Sequence, residues 1–129
     1  MIVDNELDFL ETIVKRLNRR KIDARGIDSG LKALKLLEQE QFDVVILDVR
    51  MPGMDGIETL KEMKRKWPLM EVIMLTGHGS VESGVQGMRY GAFDYVMKPA
   101  SIDDLLGKIH EAYERKVMHR KKLLDSKAS

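Results

Sequence analysis

The sequence contains no cysteine, which removes a disulfide framework, a thiolate nucleophile and any Cys-ligated zinc or iron–sulfur centre. That composition fits a reducing compartment. Long apolar runs are missing as well: residues 44–47 and 72–75 are four each, against the roughly 18 or more that a membrane span requires. No signal peptide is legible, because Asp4, Glu6 and Asp8 interrupt the N-terminal apolar residues. An excess of one charge is also lacking. Lys plus Arg number 22 and Asp plus Glu 21, so the net charge of +1 offers no global field for nucleic acid or an anionic membrane. The expectation is a soluble, cytoplasmic chain of 129 residues, sized for one domain that buries about two-thirds of its unfolded surface.

What is present alternates in a regular way. Short β-branched runs at residues 2–3, 22–27, 44–47, 72–75 and 93–97 read as buried strands. Helical spacing fills the intervals. Leu7, Leu10, Val14 and Leu17 form one apolar stripe opposite Glu11, Lys15 and Arg19. Leu31, Leu34 and Leu37 repeat the pattern, as do Ile57, Leu60 and Met63, and then Val81, Val85 and Met88. The last helix opens on Ser101-Ile102-Asp103-Asp104, a capping box with Asp104 in place of Glu, and continues through Leu105, Ile109 and Tyr113.

Strict βα alternation with continuous apolar strands predicts a single doubly wound (βα)5 domain of the α/β class, with helices on both faces of a parallel five-stranded sheet. Right-handed crossovers favour the flavodoxin-like order 2-1-3-4-5. The first strand is short against a typical 5–6 residues, so either the chain is trimmed at its start or it tolerates a short central strand.

In such sheets the site lies beyond the carboxyl ends of the strands. There the sequence places Asp4 and Asn5 after strand one, Asp48 after strand three, Thr76 after strand four and Lys98 after strand five. Carboxylates and carbonyls suit a hard cation such as Mg²⁺, which would also relieve repulsion between Asp4 and Asp48. A hydroxyl and an ammonium are donors for a phosphoryl group, and the chemistry this suggests is carboxylate attack giving an aspartyl phosphate. A plainer account makes the two aspartates turn or helix-start carboxylates that Lys98 neutralises.

Four motifs, Val-Asp-Asn-Glu (3–6), Leu-Asp-Val-Arg-Met-Pro-Gly-Met-Asp-Gly (47–56), Leu-Thr-Gly-His-Gly (75–79) and Phe-Asp-Tyr-Val-Met-Lys-Pro (93–99), stand in order at the strand ends. The chain resembles a response-regulator receiver domain of two-component signalling from Ile2 to about Met118, which sets off residues 119–129 as a basic helical extension or tail. The wording of the later motifs is most similar to receivers of enhancer-binding transcription activators. The resemblance implies that Asp48 accepts a phosphoryl group from a histidine kinase or phosphotransfer protein, and that Asp4, Asn5, Asp48 and the Arg50 carbonyl arrange Mg²⁺. It implies that Thr76 and Lys98 bond phosphoryl oxygens, that Tyr95 switches rotamer, and that a cis bond precedes Pro99. The module is then a signalling switch rather than an enzyme, catalysing only its own phosphoryl transfer and dephosphorylation. Its partner face is made by helix 80–90, strand 93–97 and helix 101–118, for an effector protein or an output domain supplied from outside these residues; no membrane or direct nucleic-acid contact is expected.

Asn5 departs from the family's two adjacent acids, which predicts weaker Mg²⁺ binding and keeps open a degenerate receiver that docks without phosphorylation. A flavodoxin-type cofactor binder is a further alternative, opposed by the acids Glu6 and Asp8 where a flavin phosphate would sit. Arg50 and His78 occupy positions that tune phosphoryl lifetime in the family. Gly84 and Gly87 either make the fourth helix marginal, at roughly 1 kcal/mol each relative to Ala, or permit close packing. Gly77-His78-Gly79 lacks the third glycine of a dinucleotide fingerprint, which falls at Glu82. Asp55 suits the turn at residues 52–56, and the methionines serve as core gap-fillers. Arg115, Lys116, Arg120, Lys121 and Lys122 are read as a solvated helix end or a lead into another domain.

Overall fold

The computed structural model describes residues 1–50, 56–77 and 81–128, with the side chains of 81–83 and 127–128 excepted. Expectations for the turn at 52–55, for His78 and for Ser80 lie outside the described residues. The elements run β1 (Ile2–Val3), α1 (Leu7–Arg19), β2 (Gly26–Ile27), α2 (Gly30–Leu37), β3 (Val44–Asp48), α3 (Gly56–Lys66), β4 (Glu71–Thr76), α4 (Val81–Arg89), β5 (Asp94–Met97) and α5 (Ile102–Ala128). All pairings are parallel, in the order β2-β1-β3-β4-β5. The expected doubly wound α/β architecture is therefore the one observed.

Alternation along each strand divides the interior into two layers. Val3, Val45, Leu47, Val72 and Met74 face α2 and α3 through Ala33, Leu37, Leu60 and Met63. Ile2, Ile46, Ile73 and Leu75 face α1 and α5 through Leu10, Ile13, Leu17, Leu105 and Ala112. Every residue of β4 is buried, as a strand covered on both faces requires. Ser101 caps α5 by accepting the Asp104 N–H at 3.1 Å, and Ser29 caps α2 through Lys32 at 3.2 Å.

Two boundaries differ from expectation. Residues 22–25 are not strand: Lys21 adopts φ 65°, and Ile22 and Lys21 donate to the carbonyls of Leu17 and Asn18, a Schellman closure of α1. Ile22 is apolar because it seals that helix end, packing into the α1–α5 layer, and only Gly26–Ile27 remain to pair with β1. Asp48 and Thr76 are the last residues of β3 and β4 rather than the first beyond them. Past Met118 α5 continues unbroken to Ala128, the helical one of the two forms read for residues 119–129, and two cations read as solvated are engaged. Arg115 pairs with the buried Glu71 of β4, and Lys116 with Asp43 ahead of β3.

Candidate functional site

β1 and β3 are neighbours in register, Val3 beside Leu47, so their carboxyl ends bring Asp4 and Asp48 to one edge where the strand order reverses. Asp4 is fully buried and Asp48 nearly so. Both divide their oxygens in the same way. Asp4 Oδ1 accepts the Glu6 N–H at 2.8 Å and Asp48 Oδ1 accepts the Arg50 N–H at 3.3 Å. These are the turn-holding bonds of the plainer account, and they leave each Oδ2 facing Lys98.

Lys98 reaches the edge from the end of β5, where its backbone N–H donates to the Thr76 carbonyl at 2.6 Å and its bond to Pro99 is cis. Its Nζ lies 2.8 Å from Asp4 Oδ2, 3.7 Å from Asp48 Oδ2 and 3.0 Å from Glu6 Oε1, with the Phe9 ring centroid 4.7 Å away. The ion pair with Lys98 is the contact this buried Asp4 Oδ2 makes besides its place in the carboxylate group. Thr76 is fully buried and its Oγ1 has no hydrogen-bond partner. A buried hydroxyl without a partner is uncommon in folded proteins and calls for an explanation.

Electrostatics follow from one cation among three carboxylates. Burial, then the neighbouring charge of Asp4, pushes the Asp48 carboxyl up to about 6, with Lys98 pulling the other way. Burial works against the Lys98 ammonium, but its contacts with Asp4 and Glu6 outweigh that and raise its pKa above the ordinary value.

Asp4, Asp48 and Lys98 are thus brought together as the sequence reading placed them. Thr76 stands at the adjoining strand end, in register with Met97, and the Arg50 backbone follows Asp48 by two residues. Asn5 is exposed. Tyr95 is elsewhere: its ring packs into the layer that holds Met74 and against Gly84 of α4. Sequence reasoning passes over Glu6, whose oxygen joins those of Asp4 and Asp48 in a group mutually within 4.8 Å. The signal that finds it is the Asp4 side-chain bond to its N–H, which folds the β1–α1 turn back over the strand end.

Polar groups gathered at the carboxyl edge of a 2-1-3-4-5 sheet place the molecule among doubly wound α/β proteins with a working edge. Residues 1–110 match the family described as response regulator receiver domain, and the chain belongs to that family. It is 35% identical over 111 residues to a DNA-binding transcriptional regulator NtrC of Proteus hauseri, covering 86% of this chain and 24% of that protein. It is also 35% identical over 112 residues to the transcriptional regulatory protein ZraR of Escherichia coli, covering 87% and 25%. The chain spans about a quarter of the length of these relatives. The receiver domain of NtrX from Brucella abortus superposes with a TM-score of 0.84 at 30% identity, covering 88% of this chain and 96% of that one. No helix among the described residues is long and apolar enough to cross a membrane.

Proposed function

We propose that the chain is a Mg²⁺-dependent phosphoacceptor switch. Asp48 is the acceptor: one carboxylate oxygen attacks the phosphorus of a phosphohistidine on a histidine kinase or phosphotransfer protein. The P–N bond breaks, its electron pair stays with the imidazole, and an aspartyl phosphate forms. The observation that carries this is the buried Thr76 hydroxyl, which has no hydrogen-bond partner, at an edge where Lys98 already gathers Asp4 and Asp48.

The donor set is oxygen throughout and fits a hard cation, with Asp4, Asp48, the Arg50 carbonyl and the amide of Asn5 as the residues to hold Mg²⁺. When bound, such an ion supplies charge neutralisation at the phosphoryl oxygens. Lys98 stabilises one phosphoryl oxygen as its charge develops, and the Thr76 hydroxyl, with no internal bond to give up, donates to another. The new bond draws Thr76 toward Asp48, and Tyr95 and α4 respond on the neighbouring layer.

The partner face is the surface of α4, β5 and α5, where Val85, Met88 and Met97 are exposed apolar groups. Its partners are a kinase or phosphotransfer protein, and an effector or output domain.

Incubation with acetyl phosphate and Mg²⁺, followed by intact-mass measurement, tests the assignment. The expected result is one base-labile phosphoryl adduct on the wild-type chain and none on Asp48→Ala. No adduct on the wild type overturns it in favour of a docking module that works without phosphorylation.

A further inference from the structure

The described acids at the working edge number three, not two. Glu6 lies two residues beyond Asp4, at the entry to α1, and its backbone N–H is tied to Asp4 Oδ1 at 2.8 Å. That bond folds the turn so that the Glu6 carboxylate stands over the ends of β1 and β3. One oxygen each from Asp4, Glu6 and Asp48 lies within 4.8 Å of the others. In an octahedral Mg²⁺ site with bonds of roughly 2.0–2.1 Å, cis ligands stand about 2.9 Å apart and trans ligands about 4.2 Å, so the three oxygens would draw together around an ion. The intervening residue, Asn5, is a neutral amide.

We infer that Glu6 is a direct carboxylate ligand of the divalent cation at this edge, supplying the negative charge that Asn5 does not. The inference rests on the metal-dependent function proposed above and names a residue that function did not include. Three observations converge on it. Glu6 Oε1 lies 3.0 Å from the Lys98 Nζ, which holds it beside Asp4 and Asp48 although the rest of its side chain is exposed. The fully buried Asp4 Oδ2 in the same group has the Lys98 ammonium, at 2.8 Å, as its counter-charge, and a cation would supply a second. The Lys98 Nζ also reaches all three acids at once, at 2.8 Å from Asp4, 3.0 Å from Glu6 and 3.7 Å from Asp48, so their oxygens already converge on one positive charge.

A consequence concerns Lys98. A cation held by Asp4, Glu6 and Asp48 would compete with the ammonium for all three of its partners. Metal loading therefore frees Lys98 for the phosphoryl group, and Glu6 couples the two events.

The test uses Mn²⁺ with the full chain, free Mn²⁺ being counted by electron paramagnetic resonance and Mg²⁺ added as competitor. Circular dichroism and thermal melts confirm folding of each variant. Glu6→Gln is expected to weaken Mn²⁺ binding about tenfold or more. Asn5→Asp added to Glu6→Gln is expected to recover most of that loss. Electron–nuclear double resonance at saturating Mn²⁺ is expected to count one more coordinated water in Glu6→Gln than in the wild type.

Affinity within twofold of wild type for Glu6→Gln, or an unchanged water count, overturns the inference while leaving the metal site intact. The Asp48→Asn control separates the two failures. Should the wild type show no saturable Mn²⁺ binding, or Asp48→Asn bind as tightly as wild type, the metal site itself falls and Glu6 with it.

Discussion

The ring of Tyr95 lies against the backbone of Gly84: a Cβ at residue 84 would stand 2.8 Å from the ring Cγ and 3.0 Å from Cδ1 and Cδ2. The missing methyl is what lets α4 sit flat on the ring. Of the two accounts open for these helix glycines, close packing is the one the geometry supports at this position.

Comparison with Gly87 isolates that contact. Alanine gains about 1 kcal/mol of helix propensity at either site. At 87 the new Cβ meets Met74 Cγ at 3.0 Å, the stem of a flexible side chain that can shift. At 84 it meets an aromatic ring held in a packed layer. Gly84→Ala is expected to be less stable than Gly87→Ala by about 1–3 kcal/mol in urea denaturation, with the Tyr95 ring resonances displaced in NMR spectra. Equal stability of the two variants would refute a steric role for Gly84.

Asp48 carries a stability deficit of its own. Its carboxyl is pushed from 3.8 up to about 6, so the folded state holds the proton more tightly than the unfolded one. A group of this kind subtracts stability above its folded value, and the deficit closes as pH falls from about 6 toward 4. In chelator-treated protein, Asp48→Asn is therefore expected to be more stable than wild type at pH 7.5, by on the order of 1–3 kcal/mol. At pH 4.5 the gain should be small. A gain that grows on acidification would contradict the assignment.

Lys98 compensates a carboxylate with no solvent access. Removing the ammonium in Lys98→Met strands Asp4 and Asp48 against each other, and a loss of about 2–4 kcal/mol is expected. Millimolar MgCl₂ should restore part of that loss, whereas NaCl at matched ionic strength should not. Identical responses to the two salts would show that no cation replaces the ammonium.

Arg115 anchors the distal half of α5. Its guanidinium pairs with Glu71, which is 1% exposed, and lies 4.7 Å from the Phe93 ring centroid; Lys64 of α3 reaches the same carboxylate at 3.6 Å. Beyond Ala112 the helix buries no further side chain among the described residues. Arg115→Met is expected to cost about 2–3 kcal/mol and to speed hydrogen exchange at amides from residue 113 onward, with β4 less affected. Unchanged exchange in α5 would show that the helix holds itself.

The fold was legible because its signals are local and repeated. Helical stripes such as Leu7, Leu10 and Leu17, and the β-branched cores of β3 and β4, report burial wherever they occur. The error at residues 22–25 has a definite cause. Ile22 is apolar for a helix-closing contact with α1, and hydrophobicity alone does not distinguish that from a strand.

The sequence by itself determined the parallel sheet, its strand order and the presence of Asp4, Asp48, Thr76 and Lys98 at the strand ends, because period and position along a strand decide which edge a residue reaches. Only the tertiary structure decided how those groups share their bonds. That Asp4 and Asp48 each keep one oxygen for a turn and one for Lys98 depends on distances across three strands. That Glu6 joins them, that Tyr95 rests on Gly84, and that Arg115 pairs with Glu71 likewise depend on elements far apart in the chain. Pattern along a sequence records which face a residue prefers; which neighbour it meets there is set by how the faces pack.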